Sequence, residues 1–449
     1  MAEKIIIVGA GLCGSLLAIR MAQRGFDVEV YEKRPDMRKG VEDAGRSINL
    51  ALSARGIMSL EKAGLKQRVL KECIPMRGRM IHPLYGDPFI SNYSGRADDY
   101  INSVSRPGLN TLLIEEADKL ENVRVHFESK VTQVNLKQAE VFFERKGEKH
   151  IDSGSIVIGT DGAGSAIRRS MMKHTTALLF NYSQDFLRHG YKELSILPGL
   201  NGSWQIEKEA LHIWPRDEFM VIALPNLDGS FTLTMFHPYE GEGGFNTLDS
   251  PKKLLSFFEK FYPSLLPNIP HLNKEYFENP VGTLGTIKCY PWQAFGKSLI
   301  MGDASHAIVP FYGQGMNASL EDVRVFDELI EKHGTNWAVL FDQFQDARVQ
   351  NANAIADLAV DNFHEMKDHV NDLAFMRKRK IEMELERTFP DYYSKYSLVT
   401  FRPELPYHEA MILGRKQDEI LLEMCAKDDF DQRPLDNYRE RLLGLQSRL

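Results

Sequence analysis

The amino terminus most constrains how this chain can fold, because an apolar strand there runs directly into closely spaced glycines. Gly9, Gly11 and Gly14 form a G-x-G-x-x-G pattern that opens a predicted helix over residues 12–23. Glycines in this position let a backbone approach a pyrophosphate at the amino terminus of the helix. The sequence therefore predicts a Rossmann-like βαβ unit, whose dinucleotide contacts come from the three glycines and from Cys13.

An acidic residue, Glu32, follows the second predicted strand of this unit, over residues 28–31. A carboxylate at this place accepts hydrogen bonds from ribose hydroxyls and repels a ribose 2′-phosphate. The site therefore suits NAD or FAD better than NADP. Strand, glycines, helix, strand and acid stand in the required order, which makes the motif more specific than the glycines alone.

Two further segments are predicted to face the same nucleotide. An apolar strand over residues 156–159 leads to Asp161, which begins a D-G-x-x-S-x-x-R pattern. Another apolar strand ends in a Gly-Asp pair with Asp303, and a loop containing Gly315 leads to a helix from about Met316. A carboxylate at a strand end suits a polyhydroxyl chain, and free helix amides suit a ring that becomes anionic. An NAD dehydrogenase needs one such segment and an extended FAD needs more, so the three together favour FAD.

Composition limits the possible classes of function. Of 449 residues, 43% are hydrophobic and 26% are charged, as in globular proteins of two or three domains. The net charge of -7 argues against nucleic acid as a partner. The four cysteines lack metal-like spacing, which favours a reducing compartment and predicts no metal site. With no signal peptide before the first strand and no apolar run near the roughly 18 residues of a membrane span, we expect a cytoplasmic protein of undefined oligomeric state.

The predicted fold class is α/β, with a Rossmann-like FAD-binding domain, an inserted antiparallel-sheet substrate domain and a helical carboxy-terminal region. The inserted sheet is predicted from apolar runs over residues 211–215, 219–225 and 230–236. A β-prone run over residues 396–401 is expected to be extended. The predicted boundaries are 1–181 and 281–335 for the FAD-binding domain, 182–280 for the sheet domain and 336–449 for the helical region.

Several side chains have two interpretations from spacing alone. Arg77 and Arg79 alternate along a predicted strand, where they either meet one anion together or lie on a solvated edge. Ile222 and Leu224 share a strand face that forms either core or the wall of an aromatic pocket. His306, in the Gly-Asp turn, is expected to be structural rather than a general base.

On the predicted carboxy-terminal helix, Asn362, Glu365 and Met366 share one face by their i, i+3, i+4 spacing. Such a group usually lies on the solvated surface, and its spacing does not show whether it meets a ligand. Tyr93, farther upstream, lies in a polar, turn-rich stretch for which no helix or strand is predicted.

The three nucleotide segments, G-x-G-x-x-G, then D-G-x-x-S-x-x-R, then G-D, resemble those of the single-component flavoprotein aromatic hydroxylases. Further strings resemble the members of that family that hydroxylate kynurenine, and the likeness runs from the first strand to about Tyr407. The chain lacks the carboxy-terminal hydrophobic anchor of the mitochondrial members and is similar to the shorter bacterial ones. The matching strings are residues 46–52, 76–80, 211–215, 222–226, 311–317 and 396–401.

The resemblance implies a substrate pocket with one polar end. Arg79 resembles the arginine that holds the substrate's amino-acid carboxylate, with Asn362 and Tyr396 completing that end. A second hydroxyl is expected from Tyr93 or, because the loop length shifts by one residue, from Ser94. The resemblance also implies the acid Glu365, which polarises this network, and an apolar pocket around the aniline ring formed by Leu211, Ile222, Leu224, Phe236, Pro310, Phe311 and Met366.

The resemblance further implies FAD as cofactor, with NADPH as reductant and dioxygen as co-substrate. A flavin hydroperoxide then carries the chemistry, so no protein nucleophile and no metal are expected. The implied FAD contacts are Tyr31, Glu32, Lys33, Arg34, Ala51, Arg106, Val131, Asp303, Met316 and Asn317. Tyr312 varies within the family and has no implied role.

The activity implied by the resemblance is conversion of L-kynurenine to 3-hydroxy-L-kynurenine, in tryptophan degradation and NAD biosynthesis. Two rival functions are a hydroxylase of the same class for another aminoaryl ring and a non-enzymatic binding protein with the flavin fold. The first rival has no reason to carry Arg79, Asn362 and Tyr396 together. The second has no reason to keep an apolar substrate wall.

Overall fold

The structure, a computed structural model, describes residues 2–40, 49–368, 373–427 and 429–446, so residues 46–48 of the first matching string lie outside it. Among the helices described, none is both long and apolar enough to cross a membrane. The strands are β1 (Lys4–Val8), β2 (Asp27–Tyr31), β3 (Asn49–Leu52), β4 (Cys73–Met76), β5 (Gly78–Ile81), β6 (Phe89–Asn92), β7 (Ile101–Ser105), β8 (Val123–His126), β9 (Ser129–Asn135), β10 (Glu140–Arg145), β11 (Glu148–Ser153), β12 (Ile156–Gly159), β13 (Asn181–Ile196), β14 (Ala210–Arg216), β15 (Phe219–Pro225), β16 (Phe231–Pro238), β17 (Gly282–Tyr290), β18 (Gln293–Ala294) and β19 (Ser298–Ile300). The helices are α1 (Leu12–Gln23), α2 (Ala54–Lys62), α3 (Lys66–Leu70), α4 (Arg106–Asp118), α5 (Ala166–Met172), α6 (Thr175–Leu178), α7 (Pro251–Phe261), α8 (Leu272–Glu278), α9 (Asp303–His306), α10 (Gly315–His333), α11 (Trp337–Asp368), α12 (Leu373–Thr388), α13 (Lys395–Phe401), α14 (Tyr407–Cys425) and α15 (Leu435–Gln446).

The first large sheet has the strand order β18-β19-β12-β1-β2-β8, and β1 pairs in parallel with both β12 and β2. The predicted βαβ unit is confirmed, since α1 covers residues 12–23 and β2 leads to Glu32. The unbroken apolar run of β1 suits a central parallel strand buried on both faces. Because β1, β12 and β19 end side by side, Gly9, Asp161 and Gly302 meet at one edge of the sheet.

The second large sheet has the order β17-β13-β16-β15-β14-β5-β6 and includes the three strands predicted over residues 211–236. Its pairs are antiparallel except for β14 with β5, which places Leu211 opposite Arg79. β5, β6 and β17 lie outside residues 182–280, so the sheet draws strands from both sides of that range. The division of the chain into three domains stays a prediction.

The prediction of an extended segment at residues 396–401 is wrong, because α13 covers these residues. Ser394 caps this helix, since its Oγ accepts a hydrogen bond from the Ser397 amide. Leu398 and Val399 are buried in an apolar cluster with residues of α11 and α14. Strand propensity is a weak preference that such packing overrides.

Helix α10 carries two adjacent buried carboxylates, which with their partners form what we call the α10 charge cluster. Glu321 accepts hydrogen bonds from Arg55 Nη1 at 3.0 Å and Arg348 Nη1 at 2.6 Å. Asp322 accepts from Arg348 Nε at 2.7 Å and lies 2.6 Å from His306 Nε2. Burial opposes ionisation of Asp322, but His306 and Arg348 outweigh it and lower its pKa to about 2. The cluster joins α2, α9 and α11 to α10.

Replacing Glu321 with Gln is expected to lower the free energy of unfolding by about 3–5 kcal/mol, because a buried guanidinium loses its charged partner. Arg55 would keep only neutral acceptors, namely the amide oxygen at position 321 and the backbone carbonyls of Val399, Arg402 and Leu405. Chemical denaturation followed by circular dichroism measures the change.

The matched control is Glu328→Gln on the same helix, where the carboxylate is 44% exposed and pairs with Arg324 at the surface. This variant is expected to lose less than about 0.5 kcal/mol. Equal losses in the two variants would contradict the argument that burial decides the effect.

Candidate functional site

A cavity of about 1920 Å³ runs from the carboxyl edge of the parallel sheet to one face of the seven-stranded sheet. Gly9, Asp161 and Asp303 line one end, and Arg79 and Phe236 line the other. Because the space is continuous, an extended ligand at the first end and a small ligand at the second can touch inside it.

The three glycines of the amino-terminal motif are required for different reasons. Gly9 has a φ of +101°, and a Cβ there would lie 2.7 Å from the Thr160 carbonyl oxygen. A Cβ on Gly14 would lie 2.0 Å from the Gly9 carbonyl oxygen, so Gly14 allows α1 to pack on the strand end. A Cβ on Gly11 meets no described atom within 4 Å, and Gly11 lines the cavity. The bare backbone there leaves room for a phosphate at the helix amino terminus.

Glu32 is held as an ordered carboxylate at the end of β2. Its Oε2 accepts a hydrogen bond from the Ala10 amide at 2.8 Å, and its Oε1 accepts one from the Arg34 amide at 2.9 Å. Burial opposes ionisation, but hydrogen bonds and charge from Arg34 outweigh it and hold the pKa of Glu32 below its usual range. Glu32 therefore presents a fixed acceptor where a ribose would lie.

Two further carboxylates offer acceptors along the same end. Asp161 Oδ2 accepts from the Ala166 amide at 2.6 Å, whereas its buried Oδ1 has no partner in the described chain. Burial raises the pKa of Asp161. Asp303 begins α9, and its exposed carboxylate forms no hydrogen bond or ion pair with any described side chain. Both groups can therefore accept hydrogen bonds from ligand hydroxyls.

The start of α10 supplies unpaired amides to the cavity. The first amides of a helix have no intrahelical acceptor, and no acidic side chain lies in the first turn of α10. Gly315 and Met316 line the cavity there, so a ring that becomes anionic is stabilised by the amides and the helix dipole. Asn317 instead accepts from the Ser53 amide at 2.9 Å and donates to the Ala51 carbonyl at 2.8 Å. Its side chain orders the structure behind the helix start.

The structure brings most of the predicted cofactor residues to this end, while Gly14 and Asn317 lie behind the cavity wall. The arrangement fits an extended flavin dinucleotide. Gly11 has no side chain, so its backbone leaves space for the phosphates. Glu32 and Asp303 offer acceptors for the ribose and ribityl hydroxyls, and the first turn of α10 offers backbone amides to the flavin ring. The predicted cofactor residues that line the cavity are Gly9, Gly11, Cys13, Tyr31, Glu32, Lys33, Arg34, Ala51, Arg106, Val131, Asp161, Asp303, Gly315 and Met316.

Arg79 places a guanidinium cation at the other end of the cavity. Its guanidinium carbon lies 4.4 Å from the centre of the Tyr396 ring and 5.0 Å from that of the Tyr93 ring. No ion pair within the described chain includes it, and Glu365 in the same cavity pairs with Lys395 instead. Arg77, by contrast, is exposed and pairs with Glu209 at 3.1 Å. The two arginines therefore do not meet one anion, and Arg79 alone faces the cavity.

Tyr93 and Ser94 differ in what their hydroxyls face. Tyr93 is fully buried behind the cavity wall, and its ring stacks on Tyr396 with centroids 5.7 Å apart. Its hydroxyl has no partner in the described chain. Ser94 Oγ donates to Asp99 at 2.6 Å and is engaged within its own turn. The geometry therefore favours Tyr93 over Ser94 as the hydroxyl beside Arg79.

The helix face that carries Asn362 and Glu365 lines the cavity rather than the surface. Asn362 Nδ2 donates to the Phe311 carbonyl at 2.6 Å. Lys395 Nζ donates to Glu365 Oε1 at 2.5 Å and lies 2.6 Å from Asp418 Oδ2. Glu365 is therefore held within an ion network instead of being a free acid.

The apolar wall of this end comes from the seven-stranded sheet and from the short 3-10 turn Pro310–Tyr312. The rings of Phe236 and Phe311 lie 5.0 Å apart. The side chain of Met366 falls outside the part of the chain that the structure describes. The predicted wall residues that line the cavity are Leu211, Ile222, Leu224, Phe236, Pro310 and Phe311.

His306 does not line the cavity and belongs to the α10 charge cluster. Its ring stacks on Trp292 with centroids 5.2 Å apart. This placement suits the structural role expected for it. No group of three or more His, Cys, Asp or Glu within the described residues could hold a metal ion.

Sequence reasoning gave no role to Tyr312 or Lys395, yet both line the cavity. Tyr312 lies in the recognised glycine loop, but the orientation of its ring depends on contacts with α13. Lys395 immediately precedes the segment predicted to be extended and is the first residue of α13, and its partners come from α11 and α14. The only sequence signal for Tyr312 is its position in that loop.

The fold and the site together define an FAD-dependent aromatic monooxygenase. The sequence matches the family described as FAD binding domain over residues 2–177 and 284–359. The fold is similar to that of 2-methyl-3-hydroxypyridine-5-carboxylic acid oxygenase, with a TM-score of 0.66 and 18% identity over 85% of this chain and 97% of that one. It is also similar to Pseudomonas aeruginosa PqsL in complex with 2-aminobenzoylacetate, with a TM-score of 0.67 and 17% identity over 86% of this chain and 100% of that one.

Curated relatives show to which family of FAD-dependent monooxygenases the chain belongs. The chain is 45% identical to a kynurenine 3-monooxygenase of Myxococcus xanthus, over 98% of this chain and 96% of the relative. It is 43% identical to that of Dictyostelium discoideum, over 97% and 96%, and 39% identical to that of Legionella pneumophila, over 94% and 93%. The chain belongs to the kynurenine 3-monooxygenase family.

Replacing each of two glycines of the motif with alanine is expected to distinguish an effect on protein stability from an effect on FAD affinity. Gly14→Ala should destabilise the protein by about 1–3 kcal/mol with or without FAD, because its methyl group meets backbone. Gly11→Ala should fold normally but bind FAD at least about 10-fold more weakly, because its methyl group occupies the phosphate approach. Denaturation of the FAD-free proteins and titration of flavin fluorescence measure the two effects. Equal destabilisation of both FAD-free variants would contradict this assignment.

Proposed function

We propose that this protein hydroxylates L-kynurenine to 3-hydroxy-L-kynurenine, with NADPH as reductant and dioxygen as co-substrate. The observation that carries the proposal is the Arg79 guanidinium, which has no carboxylate partner among the described residues. It lies at the end of an aromatic-walled cavity that is continuous with the proposed FAD site. L-Kynurenine combines an aminoaryl ring with an amino-acid carboxylate, which are the two features this end of the cavity can recognise. The names of the curated relatives support the same substrate.

Bound FAD would take electrons from NADPH and activate dioxygen, so that one oxygen atom enters the ring and the other leaves as water. The residues that would hold FAD are those of the glycine motif, Glu32, Asp303 and the start of α10. The protein itself would bind and orient the substrate and keep bulk water from the reacting atoms.

Arg79 would fix the register of the substrate. A guanidinium binds a carboxylate through two parallel charge-assisted hydrogen bonds, which define direction as well as position. With the carboxylate held there, the aminoaryl ring would lie between Phe236, Leu224 and the Pro310–Tyr312 turn. That turn precedes α10 directly, so the ring would face the flavin across it.

We also infer that the protein works in a reducing compartment such as the cytoplasm. Cys13, Cys73, Cys289 and Cys425 are free and buried. Buried thiols of this kind are ordinary in intracellular proteins and rare in secreted ones.

Addition of L-kynurenine to the purified FAD-loaded protein is expected to accelerate NADPH oxidation and to yield 3-hydroxy-L-kynurenine. Absorbance at the NADPH band and mass spectrometry of the product measure the two events. A carrier with the flavin fold would show neither. A hydroxylase for another aminoaryl ring would oxidise NADPH faster with that compound and leave L-kynurenine unchanged, which would overturn the proposed substrate.

Arg79→Ala is expected to raise the KM for L-kynurenine by at least about 30-fold, because a charge-assisted contact worth roughly 2–5 kcal/mol is lost. FAD should stay bound. The matched control is Arg77→Ala, whose guanidinium is exposed and faces Glu209, and its KM should change less than about twofold. Loss of FAD in Arg79→Ala would instead assign Arg79 to the flavin site. Initial rates and flavin absorbance report these outcomes.

A further inference from the structure

Tyr312 lies where the cofactor and substrate ends of the cavity meet. It closes the Pro310–Tyr312 turn just before α10 and is only 5% exposed, yet it lines the cavity. Its ring stacks on Tyr396, with centroids 5.6 Å apart and planes 17° apart. The Arg79 guanidinium packs on the same Tyr396 ring. Tyr312 and Arg79 therefore share one aromatic neighbour at the polar end.

The hydroxyl of Tyr312 is buried and has no hydrogen-bond partner in the described chain. Tyr407 shows the ordinary arrangement for such a group, since its buried hydroxyl donates to Gln314 at 2.9 Å. A buried hydroxyl without a partner keeps its full desolvation cost, so proteins retain few of them. An acceptor supplied by a ligand would remove that cost.

The carboxylates that influence this hydroxyl are already paired. Glu365 and Asp418 both bind Lys395, at 2.5 and 2.6 Å. Burial is the main cause that raises the pKa of Tyr312 well above its usual range, so the phenol stays protonated at neutral pH. The Tyr312 hydroxyl is therefore a hydrogen-bond donor without an acceptor in the described chain. It lies close to the Arg79 guanidinium, which would bind an anionic ligand.

We propose that the Tyr312 hydroxyl donates a hydrogen bond to the substrate carboxylate that Arg79 binds, which makes Tyr312 a specificity-determining residue for amino-acid substrates. The inference rests on the proposed function, since it takes L-kynurenine as the ligand. A carboxylate has enough lone pairs to accept the fork of a guanidinium and a phenol together.

The test compares FAD-loaded wild type with Tyr312→Phe, which removes the hydroxyl and keeps the ring. Binding of L-kynurenine is titrated through the flavin absorbance without NADPH, so the readout is a Kd rather than turnover. The loss of a hydrogen bond to a charged acceptor is expected to raise this Kd about 10-fold or more. The decarboxylated amine of L-kynurenine should bind the two proteins equally, because it lacks the acceptor.

Tyr392→Phe is the matched control. The Tyr392 hydroxyl is also buried without a partner in the described chain, but Tyr392 does not line the cavity. Its Kd for L-kynurenine should equal that of wild type. Both variants should unfold at the same temperature as wild type or higher, because each loses an unsatisfied polar group.

Three results would decide against the inference. An unchanged Kd in Tyr312→Phe would overturn it alone and leave the proposed function standing; a lower unfolding temperature beside it would assign the hydroxyl a structural role. Equal weakening for L-kynurenine and its amine would show that the carboxylate is not the acceptor. Wild type that does not bind L-kynurenine would overturn the proposed function and this inference with it.

Discussion

The adjacent carboxylates Glu321 and Asp322 determine where the parts of the site lie. They bind guanidiniums from α2 and α11, and Asp322 Oδ2 also accepts from the Gly302 amide at 2.8 Å. The strand end before Asp303 and the helix start at Gly315 are thus fixed by one cluster. Separating a buried charge from its partner costs several kcal/mol, so these elements cannot slide past one another independently. The cofactor end of the cavity takes its geometry from this pairing.

A second buried network positions the substrate end. Lys378 lies 2.7 Å from Asp418, and Lys395 bridges Asp418 and Glu365, so charges on α11, α12, α13 and α14 are joined. Compared with apolar packing, buried ion pairs add little net stability, but they allow a narrow range of geometries. The charges of this network compensate one another within the protein. Arg79, beside it, packs on the rings of Tyr93 and Tyr396 and forms no ion pair within the described part of the chain.

The parts of the fold and site that could be predicted from the sequence are those with local signals. Strand, glycine turn and helix are consecutive in the chain, and the antiparallel strands alternate or turn in recognisable ways. The inward turn of Arg79 depends instead on the pairing of β5 with β14, between segments far apart in sequence. Alternation alone treated Arg77 and Arg79 alike, and only the family resemblance distinguished them. The strand prediction for residues 396–401 is wrong because the packing partners that favour helix over strand lie on other helices.

The turn before α10 is held from both sides. Asn317 Nδ2 donates to the Gly313 carbonyl at 2.9 Å from the cofactor side, and Asn362 Nδ2 donates to the Phe311 carbonyl at 2.6 Å from the substrate side. A shared structural element gives two binding sites a route for thermodynamic coupling. Any factor by which substrate, acting through this turn, tightens flavin binding must equal the factor by which flavin tightens substrate binding. A substitution at Phe311 that alters this coupling would therefore change the effect of substrate on flavin binding and the effect of flavin on substrate binding by the same factor.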